Sequence, residues 1–519
     1  MLATPPPAAA ILERIAAIGD ETPDRTAFVV AGRHGGVDRL TYGDLVSWSH
    51  AMRRTFEADG LGPTDLLVIG VRNHITYLSM VFGAWLAAIP VLPISPNLTP
   101  DERDALLELV GAELGRPVLV DPLPHRRYDT YVLGPDWIPE FVAAPEAYRT
   151  PGRVWTDGGE QPPYLFLTSG GTTGLPKVME YRMRFAGRSD MPYAKAGLRD
   201  TGRGAVPGAA TRLITGNLFH TGNFAPSLHV LLTGSAVITM TEFDPRTVVE
   251  LLRANEVYSL GIAPSHMMAV LAMPDLDRSA FAGLSRVTHG AAPCPHWVKR
   301  GWMDLVGPER LFEIYYSSEL GGAARPVIVN GTEWLQRPGT VGRPEGVRVV
   351  DEHGRDVPAG TVGEIYFPES HGRAHSLVGG RAVRTTSALP GHVSVADLGW
   401  LDEDGYLFLA DRMSEVLEIE GRKVVPSAVE EVIASDPDVA DVAVVGTTTE
   451  EGRMRLYALV QPRAGAALST GDVLRRCRNA LEPHEIPADV RFTDALPRTE
   501  EGKMRRSVVR SLVEPEAGS

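Results

Sequence analysis

Through the first 300 residues, short apolar runs alternate with segments whose apolar positions recur every three or four residues. Asp65 to Val71 reads as a buried strand, Ile75 to Ala88 as a helix and Val118 to Val120 as a short strand. Leu213 to Thr215, Ala236 to Met240 and Val257 to Ile262 repeat the strand pattern, with helices predicted over Pro245–Asn255 and Ser265–Ala272. This alternation predicts an α/β fold in which largely parallel sheets are packed with helices.

The pattern changes near Gly360. Gly363 to Phe367 and Tyr406 to Leu409 read as strands separated by a polar, glycine-rich stretch from Glu369 to Thr386. Beyond Arg412 the chain reads as a compact α+β unit: a helix at Ser427–Ser435, strands at Val439–Val445 and Arg455–Gln461, and a helix at Ser469–Leu481. About a hundred residues of this kind suffice for a separate small core. The division expected is a large multi-subdomain unit over 1–413 and a small α+β unit over 414–519.

Composition narrows the class. At 519 residues the chain is too long for one core. The longest apolar run, Tyr77 to Ile94, is cut by Pro90 and Pro93, which leaves it short of the ~20 residues that span a bilayer. Met1 to Asp20 lacks a charged start followed by a long apolar stretch, so no secretory signal is expected. A net charge of −14 argues against a nucleic-acid-coating surface. With Cys294 and Cys477 as the only cysteines, neither a disulfide framework nor a zinc-ligand spacing exists, and a soluble, cytoplasmic protein is expected. His371 and His375, four apart beside Gly372, read as loop residues rather than metal ligands.

The most informative stretch is Ser169-Gly170-Gly171-Thr172-Thr173-Gly174-Leu175-Pro176-Lys177-Val178, directly after the apolar run Tyr164 to Leu167. Three glycines allow a sharp turn that brings backbone N–H groups close to a ligand. Three hydroxyls and one ammonium share the same small volume, which is the composition of an anion cradle suited to polyphosphate. It is not a Walker loop, because Leu175 and Pro176 separate Gly174 from Lys177.

That loop resembles the phosphate loop of the acyl-adenylate-forming superfamily, Thr-Ser-Gly-Thr-Thr-Gly-x-Pro-Lys-Gly, with Gly170 in place of the serine and Val178 in place of the last glycine. Further blocks follow in the family's order: Tyr315-Tyr316-Ser317-Ser318-Glu319, Asp397-Leu398-Gly399-Trp400, Asp411-Arg412-Met413-Ser414-Glu415, Gly421 before Val424-Val425-Pro426, and Pro497-Arg498-Thr499-Glu500-Glu501-Gly502-Lys503. The resemblance covers essentially the whole chain. The run His289 to Pro295, with Gly307-Pro308-Glu309-Arg310, is most similar to bacterial fatty-acid and bile-acid CoA ligases.

The resemblance implies an AMP-forming ligase. A carboxylate oxygen attacks the α-phosphorus of ATP, pyrophosphate leaves, and the acyl group passes from acyl-AMP to coenzyme A. Cationic and N–H groups must then neutralise charge as two anions meet. The Ser169–Lys177 loop suits the β- and γ-phosphates, and Glu319 with Thr172 would hold Mg²⁺. Tyr315 offers a face to adenine, flanked by Ala291, Ala292 and Ser318, while Asp397 has acceptor oxygens for both ribose hydroxyls. Arg412 contacts ribose or phosphate. Lys503 bridges the acid's carboxylate and the α-phosphate during adenylation, and a mobile ammonium can leave again for the second step. Lys503, Glu319 and Lys177 are thus the implied catalytic residues.

His220 and the turn Gly290-Ala291-Ala292-Pro293 are implied to line the acid pocket with Tyr316 and Ser317, Tyr316 crowding it where the family has a glycine. Ser414 stands at the hinge, where Asp or Lys is commoner, and Gly421 in the acceptor loop. Glu418 and Glu420 put negative charge where a pantetheine arm passes. They motivate the alternative of an amide bond synthetase that hands the same adenylate to an amine. Thioester formation on a carrier protein is a third outlet. A degenerate nucleotide- or acyl-binding regulator is a further alternative, since Val393-Ser394-Val395-Ala396 has lost the usual Tyr-x-Thr-Gly before Asp397.

Overall fold

In the computed structural model of the chain, residues 8–32, 35–132, 165–168, 178–181, 211–317, 326–369, 377–378, 389–449, 452–463, 465–499 and 502–513 are described. Two large sheets dominate. The eight-stranded sheet runs in the order Val327–Asn330, Leu311–Tyr315, Arg286–Gly290, Ser259–Gly261, Arg212–Ile214, Val237–Met240, Thr26–Ala31, Val37–Thr41. Its six inner strands pair in parallel and its two edges are antiparallel. The seven-stranded sheet runs Leu377–Val378, Val178–Tyr181, Leu165–Thr168, Val91–Pro93, Asp65–Ile69, Arg116–Asp121, Thr130–Val132, again parallel except at the Val178 edge.

One apolar core joins the facing sides of these sheets. Phe28, Val30, Ile214 and Val237 of the first meet Leu67, Ile69, Val91 and Leu165 of the second around the helices Tyr42–Ala58 and Tyr77–Leu86. Because both faces of each parallel sheet are covered, their strands are continuous apolar runs rather than alternating ones. The Tyr42 helix starts at a capping box in which Thr41 and Asp44 satisfy each other's backbone N–H groups. The far side of the eight-stranded sheet packs beneath the helices Pro245–Ala254, Pro264–Leu271 and His296–Val306, with Trp302 fully buried among them.

A five-stranded antiparallel sheet follows, ordered Thr340–Gly342, Leu407–Arg412, His392–Leu401, Gly363–Pro368, Arg348–Val350. Beyond it the chain forms the hairpin Leu417–Ile419/Arg422–Val424 and a three-stranded sheet of Val439–Thr448, Met454–Pro462 and Asp489–Phe492. The helices Pro426–Ala434 and Thr470–Ala480 cover one face of that sheet, and Arg506–Val513 the other. Among the described residues, no helix is long and apolar enough to cross a membrane.

The crossing of the Tyr42 and Tyr77 helices depends on Gly83. A Cβ there would lie 2.4 Å from Met52 Cβ and 2.9 Å from the Ser49 carbonyl oxygen, and the backbone cannot yield as a flexible side chain can. Gly83→Ala should therefore destabilise the protein by roughly 1–3 kcal/mol, the usual cost of overpacking. An unchanged urea midpoint for this variant would show that the helices do not meet so closely.

Candidate functional site

The carboxyl ends of the strands Arg286–Gly290 and Leu311–Tyr315 deliver the first site residues, as expected for an open parallel sheet. The two strands pair so closely at Gly290 that a Cβ would sit 2.4 Å from the Ile314 carbonyl oxygen. Only glycine fits there. The next residue, Ala291, turns the chain with φ at +69°, a left-handed conformation unusual for alanine.

Tyr315, at the end of its strand, donates its hydroxyl to Asp397 Oδ2 at 2.6 Å. Asp397 lies on the strand His392–Leu401 and faces Arg412 of the strand Leu407–Arg412 in register, with Arg412 Nε 3.4 Å from Asp397 Oδ1. Tyr315, 82 positions earlier in the chain, and Arg412 on the neighbouring strand thus share the Asp397 carboxylate. Asp397 is mostly buried whereas the Arg412 side chain is about half-exposed, so the guanidinium can turn outward to an anion. A carboxylate has about four acceptor sites, enough to take these donors and vicinal hydroxyls of a ligand as well.

The chain enters Asp397 through Ala396, held at φ +60° with its N–H donated to Ser394 Oγ at 2.9 Å. Ala291 and Ala396 thus occupy left-handed positions on either side of the site. The loss of glycine before Asp397, which motivated the non-enzymatic alternative, has left the turn itself in place.

Beneath Gly290, His289 is fully buried, and neither ring nitrogen meets a hydrogen-bond partner among the described residues. Burial pushes its pKa down to about 4, with Glu313 opposing and Lys299 assisting, so it is a neutral ring at pH 7. Lys299 and Glu313 pair at 2.5 Å in the same buried layer. Cys294 is likewise buried and its thiol is pushed up to about 12, chiefly by desolvation, which removes it as a nucleophile.

His220 caps the helix Thr221–Leu232, its ring 4.5 Å from that of Phe219. The loop before it is pinned by Asn73. That buried amide donates to the carbonyls of Gly216 and Met240 and to Thr239 Oγ1, and accepts from the Leu218 N–H. Nothing in the sequence singles out Asn73; its role depends on two strands distant in the chain. Tyr316 and Ser317 follow Tyr315, and the Tyr316 ring packs on the core of the five-stranded sheet.

Lys503 sits in a tight loop. The Thr499 N–H donates to the Lys503 carbonyl at 2.8 Å and the Lys503 N–H to Thr499 Oγ1 at 3.2 Å. Gly502, at φ +82°, lies against the large unit: a Cβ on it would be 2.8 Å from Ser265 Oγ, at the start of the Pro264 helix. By contrast a Cβ on Gly421 would meet nothing within 4 Å. Glu420 and Gly421 both have positive φ, 52° and 74°, forming the two-residue turn of the Leu417–Val424 hairpin. Ser414 is exposed in the 3-10 turn Met413–Glu415.

Ser169, Gly170, Gly171, Thr172, Thr173, Gly174, Lys177, Ser318 and Glu319 lie outside the described residues, as do His371 and His375. The loop's flanks are described: Leu165–Thr168 ends in the seven-stranded sheet, and Val178–Tyr181 returns beside it. Among the described residues no group of three or more His, Cys, Asp or Glu could hold a metal ion.

Residues 15–371 match the family model described as AMP-binding enzyme, and residues 428–503 match that of the AMP-binding enzyme C-terminal domain. A fatty acid–[acyl-carrier-protein] ligase of Streptomyces coeruleorubidus is 28% identical over 91% of both chains. An indoleacetate–CoA ligase of Aromatoleum aromaticum is 27% identical, over 91% of this chain and 93% of its own. Among solved structures, ATP-bound MatB from Rhodopseudomonas palustris superposes with a TM-score of 0.78 at 22% identity, over 96% of this chain and 98% of its own. The amide bond synthetase McbA from Marinactinospora thermotolerans gives 0.74 at 20% identity, over 98% and 100%. At these identities the structural likeness shows a shared fold.

The left-handed alanines allow a direct check of the site's backbone. Ala396→Gly should raise stability by roughly 0.5–1 kcal/mol, because glycine adopts positive φ without steric cost. At an ordinary φ the same change would destabilise, and a lowered melting temperature would refute the turn geometry.

Proposed function

This chain belongs to the AMP-binding enzyme family, and from that premise we propose that it joins an organic acid to AMP and then passes the acyl group to the thiol of coenzyme A. The observation that carries this reading is the docking of the Lys503 loop against Ser265 of the large unit while the Glu420–Gly421 turn stands in open space. That is the arrangement the first step needs.

In this reading the carboxylate of Asp397, oriented by Tyr315 and Arg412, accepts from the ribose hydroxyls. Arg412 swings toward the phosphates. The Tyr315 ring, beside the Gly290–Ala292 turn, takes the adenine. Lys503 supplies positive charge between the acid's carboxylate and the α-phosphate as the new P–O bond forms and pyrophosphate leaves. Glu319 and Thr172 would hold Mg²⁺, which supplies neutralising charge at the phosphate oxygens. Ser169 to Lys177 would cradle the β- and γ-phosphates through N–H, hydroxyl and ammonium groups. His220, Gly290, Tyr316 and Ser317 line the approach of the acid.

For the second step the small unit, 414–519, pivots about Ser414 and brings Gly421 to the site. The hairpin favours a thiol ester over an amide. Glu418 faces Lys423 across the ladder, and Arg422 follows the Glu420–Gly421 turn. Two carboxylates are thereby offset by two cations, and the tip no longer repels the phosphates of CoA.

Pyrophosphate release over a panel of carboxylic acids, followed by mass identification of the product with CoA, with an acyl carrier protein and with amines, tests both steps. Acid-dependent pyrophosphate release and an acyl-CoA are expected. Amide alone would overturn the acceptor assignment, and no acid-dependent release would overturn adenylation. Lys503→Ala should lose ~10²–10³ in pyrophosphate release yet still consume supplied acyl-AMP. Wild-type adenylation by this variant would remove Lys503 from the chemistry.

A further inference from the structure

Lys503 is held by more than its own loop. Arg498, five residues earlier, donates Nη1 to the Gly502 carbonyl at 2.6 Å. The same guanidinium grips Asp441 with two prongs, Nε to Oδ2 and Nη2 to Oδ1, both at 2.8 Å. Asp441 is buried and Arg498 nearly so. The Asp441 carboxylate also accepts from the Val442 N–H at 2.9 Å, which fixes it to its strand. A planar fork matched to a carboxylate adds geometric definition as well as energy, which an ammonium in the same place would not.

The residue before Asp441 is where the large unit touches this assembly. Trp297, on the helix His296–Val306, donates its indole N–H to the Ala440 carbonyl at 3.0 Å. Its ring lies 4.4 Å from the Arg463 guanidinium carbon, and Arg463 follows the neighbouring strand. A continuous set of contacts therefore runs from the large unit to the lysine: Trp297, the Ala440–Asp441 backbone, Arg498, Gly502, Lys503. It ends where Gly502 meets Ser265, whose hydroxyl is buried with no partner among the described residues.

We propose that Asp441 and Arg498 are positioning residues for Lys503, and that Trp297 couples their alignment to docking of the small unit. The inference rests on the reading of Lys503 as the adenylation lysine. Neither Asp441 nor Arg498 touches substrate. They set where the Gly502 carbonyl sits and hence the direction in which the Lys503 side chain leaves the loop. Trp297 holds the strand that carries Asp441 only while the two units are in contact, so the lysine is braced for the first step and released with the small unit for the second. Misplacing a reacting group by about 1 Å can cost on the order of 10²-fold in rate.

The test uses the full chain and measures ATP–pyrophosphate exchange with the acid that gives the fastest pyrophosphate release. Asp441→Asn and Arg498→Lys should each lower kcat of exchange by about 10²-fold and leave KM for ATP and acid within threefold. Consumption of preformed acyl-AMP with CoA as the probe acceptor should stay within threefold. Trp297→Phe, which keeps the ring but not the N–H, should lower exchange several-fold with an unchanged melting temperature. It keeps the proposal open to test even where an Asp441 or Arg498 variant fails to fold. A raised KM with unchanged kcat, an equal loss in both half-reactions, or wild-type exchange by Trp297→Phe would overturn it. Lys503→Ala in the same assay separates the two failures. Should that variant exchange normally, the underlying reading falls; should it be silent while Asp441→Asn is active, only the positioning proposal falls.

Discussion

The chemistry proposed for this chain requires a lysine from its C-terminal end, Lys503, to meet residues as far back in the chain as Gly290 and Tyr315. Docking of the small unit on the large one is therefore the contact on which the site depends. Two narrow contacts away from the junction belong to it: Gly502 against Ser265, and Trp297 against Ala440 and Arg463. Both are small and partly polar, which suits the proposed separation of the two units better than a permanent interface would.

Where the two units join, a different kind of contact holds the chain. Arg506, nearly buried, donates to Glu430 at 2.8 Å and to the Val444 carbonyl at 2.6 Å, with Glu415 at 3.3 Å and Asp411 at 3.9 Å. Burial opposes its charge, but Glu430, Asp411 and Glu415 outweigh burial and raise its pKa, so it is a permanent cation. Asp411 in turn accepts from the Ser427 N–H, and Ser427 donates to the Ala410 carbonyl at 2.5 Å. Residues on both sides of Ser414 are thus fastened to the small unit. A pivot at Ser414 must loosen the Ser427 contacts to Ala410 and Asp411 together with the Arg506–Asp411 pair, the longest that Arg506 makes, and can keep the Glu415 and Glu430 contacts intact. A buried cation left with no partner costs several kcal/mol, and retention of Glu415 and Glu430 avoids that cost.

Much of this was legible in the sequence. Strands such as Asp65–Ile69 and Val237–Met240 and helices such as Pro245–Ala254 stand where the hydrophobic pattern puts them, because burial on both faces of a parallel sheet produces uninterrupted apolar runs. Tyr315, Asp397 and Arg412 were singled out by motif, and the structure brings them together. What pattern could not supply was contact between distant segments. Asn73, Trp297 and Asp441 look like ordinary surface or turn residues until the strands and helices that face them are in place. The five-stranded antiparallel sheet was read only as scattered strands, since its partly exposed members carry a weaker apolar signal. Glu418 and Glu420 read in the sequence as negative charge near a pantetheine arm; that Lys423 stands opposite Glu418 emerges only from the hairpin register.

The central claim is that the contact between Gly502 and Ser265 belongs to adenylation and must open for acyl transfer. A Cβ at 502 would lie 3.3 Å from that of Ser265, about 0.2 Å short of the usual disulfide range, a difference a small backbone shift makes up. Cys294 and Cys477 are both buried, so a pair of cysteines placed at 265 and 502 would face little competition for oxidation. Oxidation of the double variant Ser265→Cys/Gly502→Cys should leave its acid-dependent pyrophosphate exchange at the rate of the same variant when reduced and abolish acyl transfer, with transfer restored on reduction. Transfer by the bridged protein at the rate of the reduced protein would contradict the account.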